Sequence, residues 1–150
     1  MQEKLVEISS VLEELYSSDK HIISVVLVDD VGLLLFSAGL GKDDPKELVM
    51  GPISHAIFSG NMEQGERAEM KRMDLLTLEF SKGFILINPC FKNHIISVAM
   101  DKNGNIGLIR LKLSKVLEKV NKILMEKPKA PQKPEIVEKD LKDVLKLINW

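Results

Sequence analysis

The sequence predicts an α+β domain with the element order α-β-β-α-β-β-β-α. Three observations predict it. Apolar residues recur every three or four positions in three long segments. Five shorter segments are dense in β-branched residues, leucine and phenylalanine. Glycine, asparagine, aspartate or proline stands at most of the junctions between them. Composition agrees: the chain has 150 residues, 45% hydrophobic and 29% charged, as expected of a folded domain rather than a disordered or membrane-embedded chain.

Leu5, Ile8, Leu12 and Leu15 set one apolar stripe on a first helix from Gln2 to about Ser17, with Glu3, Glu7, Glu13 and Glu14 elsewhere on its surface. His21 to Val28 is too short for a stable helix and rich in β-branched residues, so it reads as a largely buried strand. Asp29-Asp30-Val31-Gly32 is turn chemistry, and Leu33 to Ala38 resumes as a second strand. Residues 22–38 therefore form an antiparallel hairpin, which Gly39 and Gly41 end.

Asp43-Asp44-Pro45 opens a long helix, because a carboxylate caps free N–H groups and proline suits the first turn. The helix should reach about Gly65, with a kink or a new start where Pro52 follows Gly51. Its apolar residues fall in two sets: Val49, Ile53, Ala56 and Ile57 on one face, Met50, Phe58 and Met62 on another. A helix lying on one sheet needs a single stripe. The second set predicts a second neighbour, which Gly51, Ser54, Ser59 and Gly60 would let approach closely; a broad core stripe is the plainer reading.

Met70 to Phe80 alternates as a third strand, Ser81-Lys82-Gly83 turns, and Phe84 to Ile87 is a buried fourth strand stopped by Asn88-Pro89. Ile95 to Met100 is the fifth. Asp101 to Gly104 turns again, and Asn105 caps a last helix carrying Ile106, Ile109, Leu113, Val116, Leu117, Val120 and Leu124. Cations outnumber acids over 102–127, opposite in sign to the first helix, so the two helices suit one another as neighbours. Pro128, Pro131 and Pro134 then mark a stiff linker, 127–134, extending at roughly 3 Å per residue. Residues 135–150 hold Val137, Leu141, Val144, Leu145 and Ile148 at helical spacing and end in Trp150. A helix that short is marginal alone, so Leu141, Leu145, Ile148 and Trp150 are expected to dock. The domain itself takes 1–126.

Several function classes drop out. Lysine and arginine total 21 against 22 acids, for a net charge of -1, so no nucleic-acid partner is expected. Apolar runs fall short of the ~18 residues a membrane span needs, and the acidic N-terminus is no signal peptide. One cysteine, Cys90, excludes an intramolecular disulfide, and a reducing cytoplasm is the expected setting. There is no P-loop, and glycines 104 and 107 are explained by capping. Asp101, Asn103 and Asn105 begin like a calcium loop, which fails at Ile106 and Lys112. His21, His55 and His94 lack ligand spacing, and Cys90 lacks a neighbouring base. No catalytic residue, metal or cofactor is expected, and the chain does not read as an enzyme.

Four stretches give the pattern a likeness. They are Val25 to Ala38, Leu75 to Pro89, Ile95 to Gly104, and Asn105 to Leu113, which opens Asn-x-Gly-x-x-Arg. Over residues 2–126 the chain resembles the Roadblock/dynein light chain domain. The resemblance implies a five-stranded antiparallel sheet with the long helix on one face and the terminal helices on the other, a Roadblock/longin-like, profilin-like architecture. It implies pairing of two copies through third strands and long helices, with Met50, Ser54, Phe58, Met62, Met73 and Leu75 at the interface, leaving the Val49 set for the sheet. It implies a non-catalytic homodimer that regulates or scaffolds a small Ras-like GTPase, as an activating partner or a platform. Arg67 and Arg72 are then the candidate GTPase contacts, and Arg110, in the closing signature, is structural. The alternative is a PAS-like small-molecule sensor, which would need an internal pocket with convergent polar groups. An enzyme using Cys90 or His55 ranks last.

Overall fold

The computed structural model describes residues 2–40 and 45–126, together with Lys146. The elements follow the predicted order: α1 (Gln2–Ser17), β1 (Ile22–Val28), β2 (Leu34–Ala38), α2 (Pro45–Arg67), β3 (Leu76–Phe80), β4 (Gly83–Pro89), a 3-10 turn (Phe91–Asn93), β5 (Ile95–Asp101) and α3 (Ile106–Met125). The Asp43-Asp44 cap, the Pro-rich linker and the docking residues Leu141, Leu145, Ile148 and Trp150 lie outside the described residues.

Side chains alternate across a strand, so a strand buried on both faces must be apolar at nearly every position. β1 satisfies this. Val25 and Leu27 join Ile8, Leu12 and Leu15 of α1 and Ile109, Leu113, Val116 and Val120 of α3 in one core. Val26 and Val28 join Phe58 of α2, with Ile87 and Ile95, in a second core on the opposite face. The five strands order as β2-β1-β5-β4-β3, every neighbouring pair antiparallel. The sheet thus carries α2 on one face and α1 with α3 on the other, as the resemblance implied. β2 and β3 are its edges.

The terminal helices are neighbours, as expected, but the contacts that tie them use groups other than the acids of α1. α1 and α3 lie side by side, and the Lys112 ammonium donates to Ser18 O at 3.0 Å and stands 3.9 Å from Asp19. Lys4 Nζ donates to the Glu126 carbonyl where α3 ends. Such exposed contacts contribute little energy individually and chiefly set alignment.

Two boundaries differ from expectation. α2 runs from Pro45 through Pro52 to Arg67 as one helix. Pro52 is exposed, while its neighbour Gly51 faces the hairpin so closely that a Cβ there would stand 2.5 Å from Gly32 O. β3 begins only at Leu76; the expected strand residues from Met70 to Leu75 form a loop. After α2, Met70 N–H reaches back to Gly65 O at 2.8 Å and Glu69 N–H to Glu66 O at 3.0 Å, a Schellman closure with Glu69 left-handed at φ 58. Lys71, at φ 65, is left-handed as well. The strand pair also runs out at the partner end, where Pro89 has no N–H to offer.

Candidate functional site

Chemistry-bearing groups are spent on structure. Cys90 is buried, and desolvation pushes its thiol up to about 12, so it rests protonated and unreactive. His55 Nε2 lies 2.9 Å from the carbonyl of Asp30, tying α2 to the β1–β2 turn. His21 Nδ1 sits 3.0 Å from Asp101 Oδ1. Desolvation pulls the Asp101 carboxyl up, but the His21 hydrogen bond, the N–H groups of Asn103 and Gly104, and the charge of His21 outweigh it and hold Asp101 below its ordinary value. No cluster of three or more potential metal ligands occurs among the described residues.

What the fold leaves open is surface, and part of it lies on the α2 side, with further exposed apolar residues on α1 (Val6) and α3 (Leu108 and Leu111). α2 makes its main contacts with β1, β2 and β5. The outer part of that sheet face, at β4 and β3, is therefore less covered: Leu78 and Ile85 are half-buried and Phe80 is 51% exposed. Among the described residues β3 has no strand on its other side, so its outward backbone groups are unpaired within the sheet. Along α2 itself, Val49 and Ile53 are 49% and 50% exposed.

The two apolar sets of α2 do not divide by burial as expected, although Ile57 of the sheet-facing set is half-buried and packs with the α2-side core. Ser54 and Phe58, assigned to a partner, are buried against the chain's own sheet at 4% and 3% exposure and have little area left to give. Met50 and Met62 are half-buried, and Val49, Ile53 and Ala56 face outward. The small residues decide this. Gly51 and Ser54 share the helical stripe of Phe58, and they are what lets the helix press onto the hairpin. Met73 packs with the α2-side core, whereas Leu75 packs with the α1–α3 core on the other face.

Arg67 and Arg72 are both exposed beside this surface, each held by a local carboxylate. Arg67 pairs with Glu63 one turn back at 3.1 Å, and Arg72 with Asp74 at 3.0 Å. Arg110 lies on the other face, where it donates to Thr77 Oγ1 of β3 at 2.8 Å. Sequence reasoning missed Phe80 and Ile85 as surface candidates. Their alternation was legible, but how far α2 reaches over the sheet was not.

Solved structures resemble this arrangement closely. Myxococcus xanthus MglB superposes with a TM-score of 0.73 at 20% identity, over 79% of this chain and 94% of that one. A Roadblock/LC7 domain from Streptomyces avermitilis gives 0.72 at 16% identity, over 79% of this chain and 98% of the other. The chain has a Roadblock/LC7 domain fold. The gliding protein MglB of Thermus thermophilus matches with a TM-score of 0.67 at 15% identity, over 81% of this chain and 88% of that one. No protein-family model matches the sequence, and no curated protein matches it. The Roadblock/LC7 likeness is thus carried by backbone geometry and not by identical residues. No helix among the described residues is long and apolar enough to cross a membrane.

Proposed function

We propose that this chain is a non-catalytic interaction module that pairs with a second copy through β3 and α2 and presents the joint surface to a small Ras-like GTPase. One observation carries the pairing: an open edge strand on whose α2-side face Phe80 is 51% exposed and Leu78 only half-buried. An edge of this kind invites another strand, and a two-fold pairing of identical edges closes on itself. Met62 and Met73, half-buried beside it, supply side chains that adapt to a partner. Ser54, Phe58 and Leu75 support that surface from beneath.

The GTPase reading rests on the Roadblock/LC7 fold together with the Asn105-x-Gly107-x-x-Arg110 signature. Arg67 and Arg72 are exposed cations at the end of α2 and in the stretch that joins it to β3, and their carboxylate partners are exposed and exchangeable. An activating partner either inserts an arginine or reorders the GTPase's own residues. Two measurements test the proposal. Sedimentation should give twice the chain mass of 16.9 kDa, and small GTPases of the source cell should co-purify and change hydrolysis rate when the protein is added. Arg67→Ala and Arg72→Ala should weaken that effect while leaving the dimer intact. A protein that stays a single chain at micromolar concentration overturns the pairing, and GTPases that neither bind nor respond overturn the partner.

A further inference from the structure

A groove of about 460 Å³ opens at the end of the sheet where α2, the β4–β5 connection and α3 meet. Phe58, Met62 and Met73 line it on one side and Leu117 and Met125 on the other, with Arg72, Asp74, Asn88, Asn93 and Asn121 supplying polar groups among them. Met125 is the last residue of α3 and is 62% exposed. Glu126 then leaves helical geometry, at φ -59 and ψ 120. The chain therefore departs from the lip of this groove, and the linker 127–134 and the amphipathic segment 135–150 come next in sequence.

We propose that residues 135–150 seat in this groove of their own chain, with Leu145, Ile148 and Trp150 against Met62, Leu117 and Met125. Reach permits it: the linker at roughly 3 Å per residue spans about 25 Å, and the groove begins where the linker does. Chemistry favours it, because the segment carries Val137, Leu141, Leu145 and Ile148 on one helical stripe, with lysines and acids around the rest. The tether favours its own segment over any untethered rival. It holds the segment at an effective concentration on the order of 1 mM, so a contact with a Kd of about 0.1 mM is filled about nine-tenths of the time. Trp150 also brings an indole, whose large apolar body suits such a groove and whose N–H needs only a polar rim.

Trp150 is the chain's only tryptophan, which makes it a specific probe. In the full chain its emission should be blue-shifted, and acrylamide should quench it several-fold more slowly than free N-acetyltryptophanamide. Met125→Asp and Leu117→Asn, at exposed and half-buried positions of α3 outside the proposed pairing surface, should restore solvent-like emission and quenching with the far-ultraviolet spectrum unchanged. Val31→Asp, 76% exposed on the hairpin turn and outside the groove's lining, should leave Trp150 shielded. Solvent-like emission in the unaltered chain overturns the proposal, as does shielding that survives both groove substitutions. Shielding that vanishes on dilution to the single chain overturns it too, because a second copy then provides the seat. No GTPase enters the experiment, so its failure leaves the proposed function standing.

Discussion

Glu69 occupies the position past a helix end where glycine is most often found. Its φ of 58 costs a side-chain-bearing residue about 1–2 kcal/mol, partly offset by the chain freedom that glycine would add to the unfolded state. Glu69→Gly should therefore raise stability by about 0.5–1 kcal/mol, read as a shift in the urea midpoint with an unchanged slope. Asp101 carries a different signature. Its carboxyl is held below the ordinary value, so its contribution is present above the unfolded-state value and is lost as pH falls through the folded one. Acid titration followed by circular dichroism should show Asp101→Asn flatter than the unaltered chain below about pH 4. Equal acid sensitivity of the two chains would refute the coupling to His21. Neither effect was legible in sequence. Glu69 falls between the helical and the alternating patterns and belongs to neither, and His21 and Asp101 meet only because β1 pairs with β5.

At the scale of the element, the closing signature resolves into three separate jobs. Asn105 accepts from Leu108 N–H at 3.1 Å and caps α3. Gly107 leaves the cap room, since a Cβ there would lie 3.3 Å from Asn105 Oδ1. Arg110, one turn on, ties the helix to the edge strand through Thr77. Asn105→Ala should cost about 1 kcal/mol, read from the urea midpoint. α2 is controlled by Gly51 in a comparable way. An alanine there meets Gly32 O at 2.5 Å, so Gly51→Ala should cost on the order of 1–3 kcal/mol and loosen the β1–β2 turn, visible as faster amide exchange at Asp29 to Leu33. These cases show what periodicity reveals and what it misses. α1 and α3 were readable end to end because each buries a single stripe and α3 has a capping asparagine. α2 has two apolar faces, and spacing alone gives no preference between them. The glycine and serine that settle the matter are informative only once the hairpin beneath them is in view. β3 was overextended for a related reason: a helix-end closure built from Glu69 and Met70 lacks the glycine that would have announced it.

For the whole molecule, the asymmetry between the two sheet edges decides how it can assemble. At one edge, β2 carries α2 on one face and α1 on the other. At the opposite edge, β3 has less cover on the α2 side and ends in the half-exposed Phe80. If a second copy covers it, burial of Phe80 and Leu78 is realised only in the pair, and stability becomes linked to concentration by mass action. The melting temperature of the unaltered chain should then rise with protein concentration. Phe80→Asp places a charge where two copies meet, and because the position is half-exposed in one copy, the fold of the single chain should survive. The variant should sediment at one chain mass, keep the helix and strand content of the parent, and melt at a temperature independent of concentration. A parent protein whose melting temperature is equally flat would show that the edge is stable uncovered. The apolar residues on β3 would then serve some other contact than a twin.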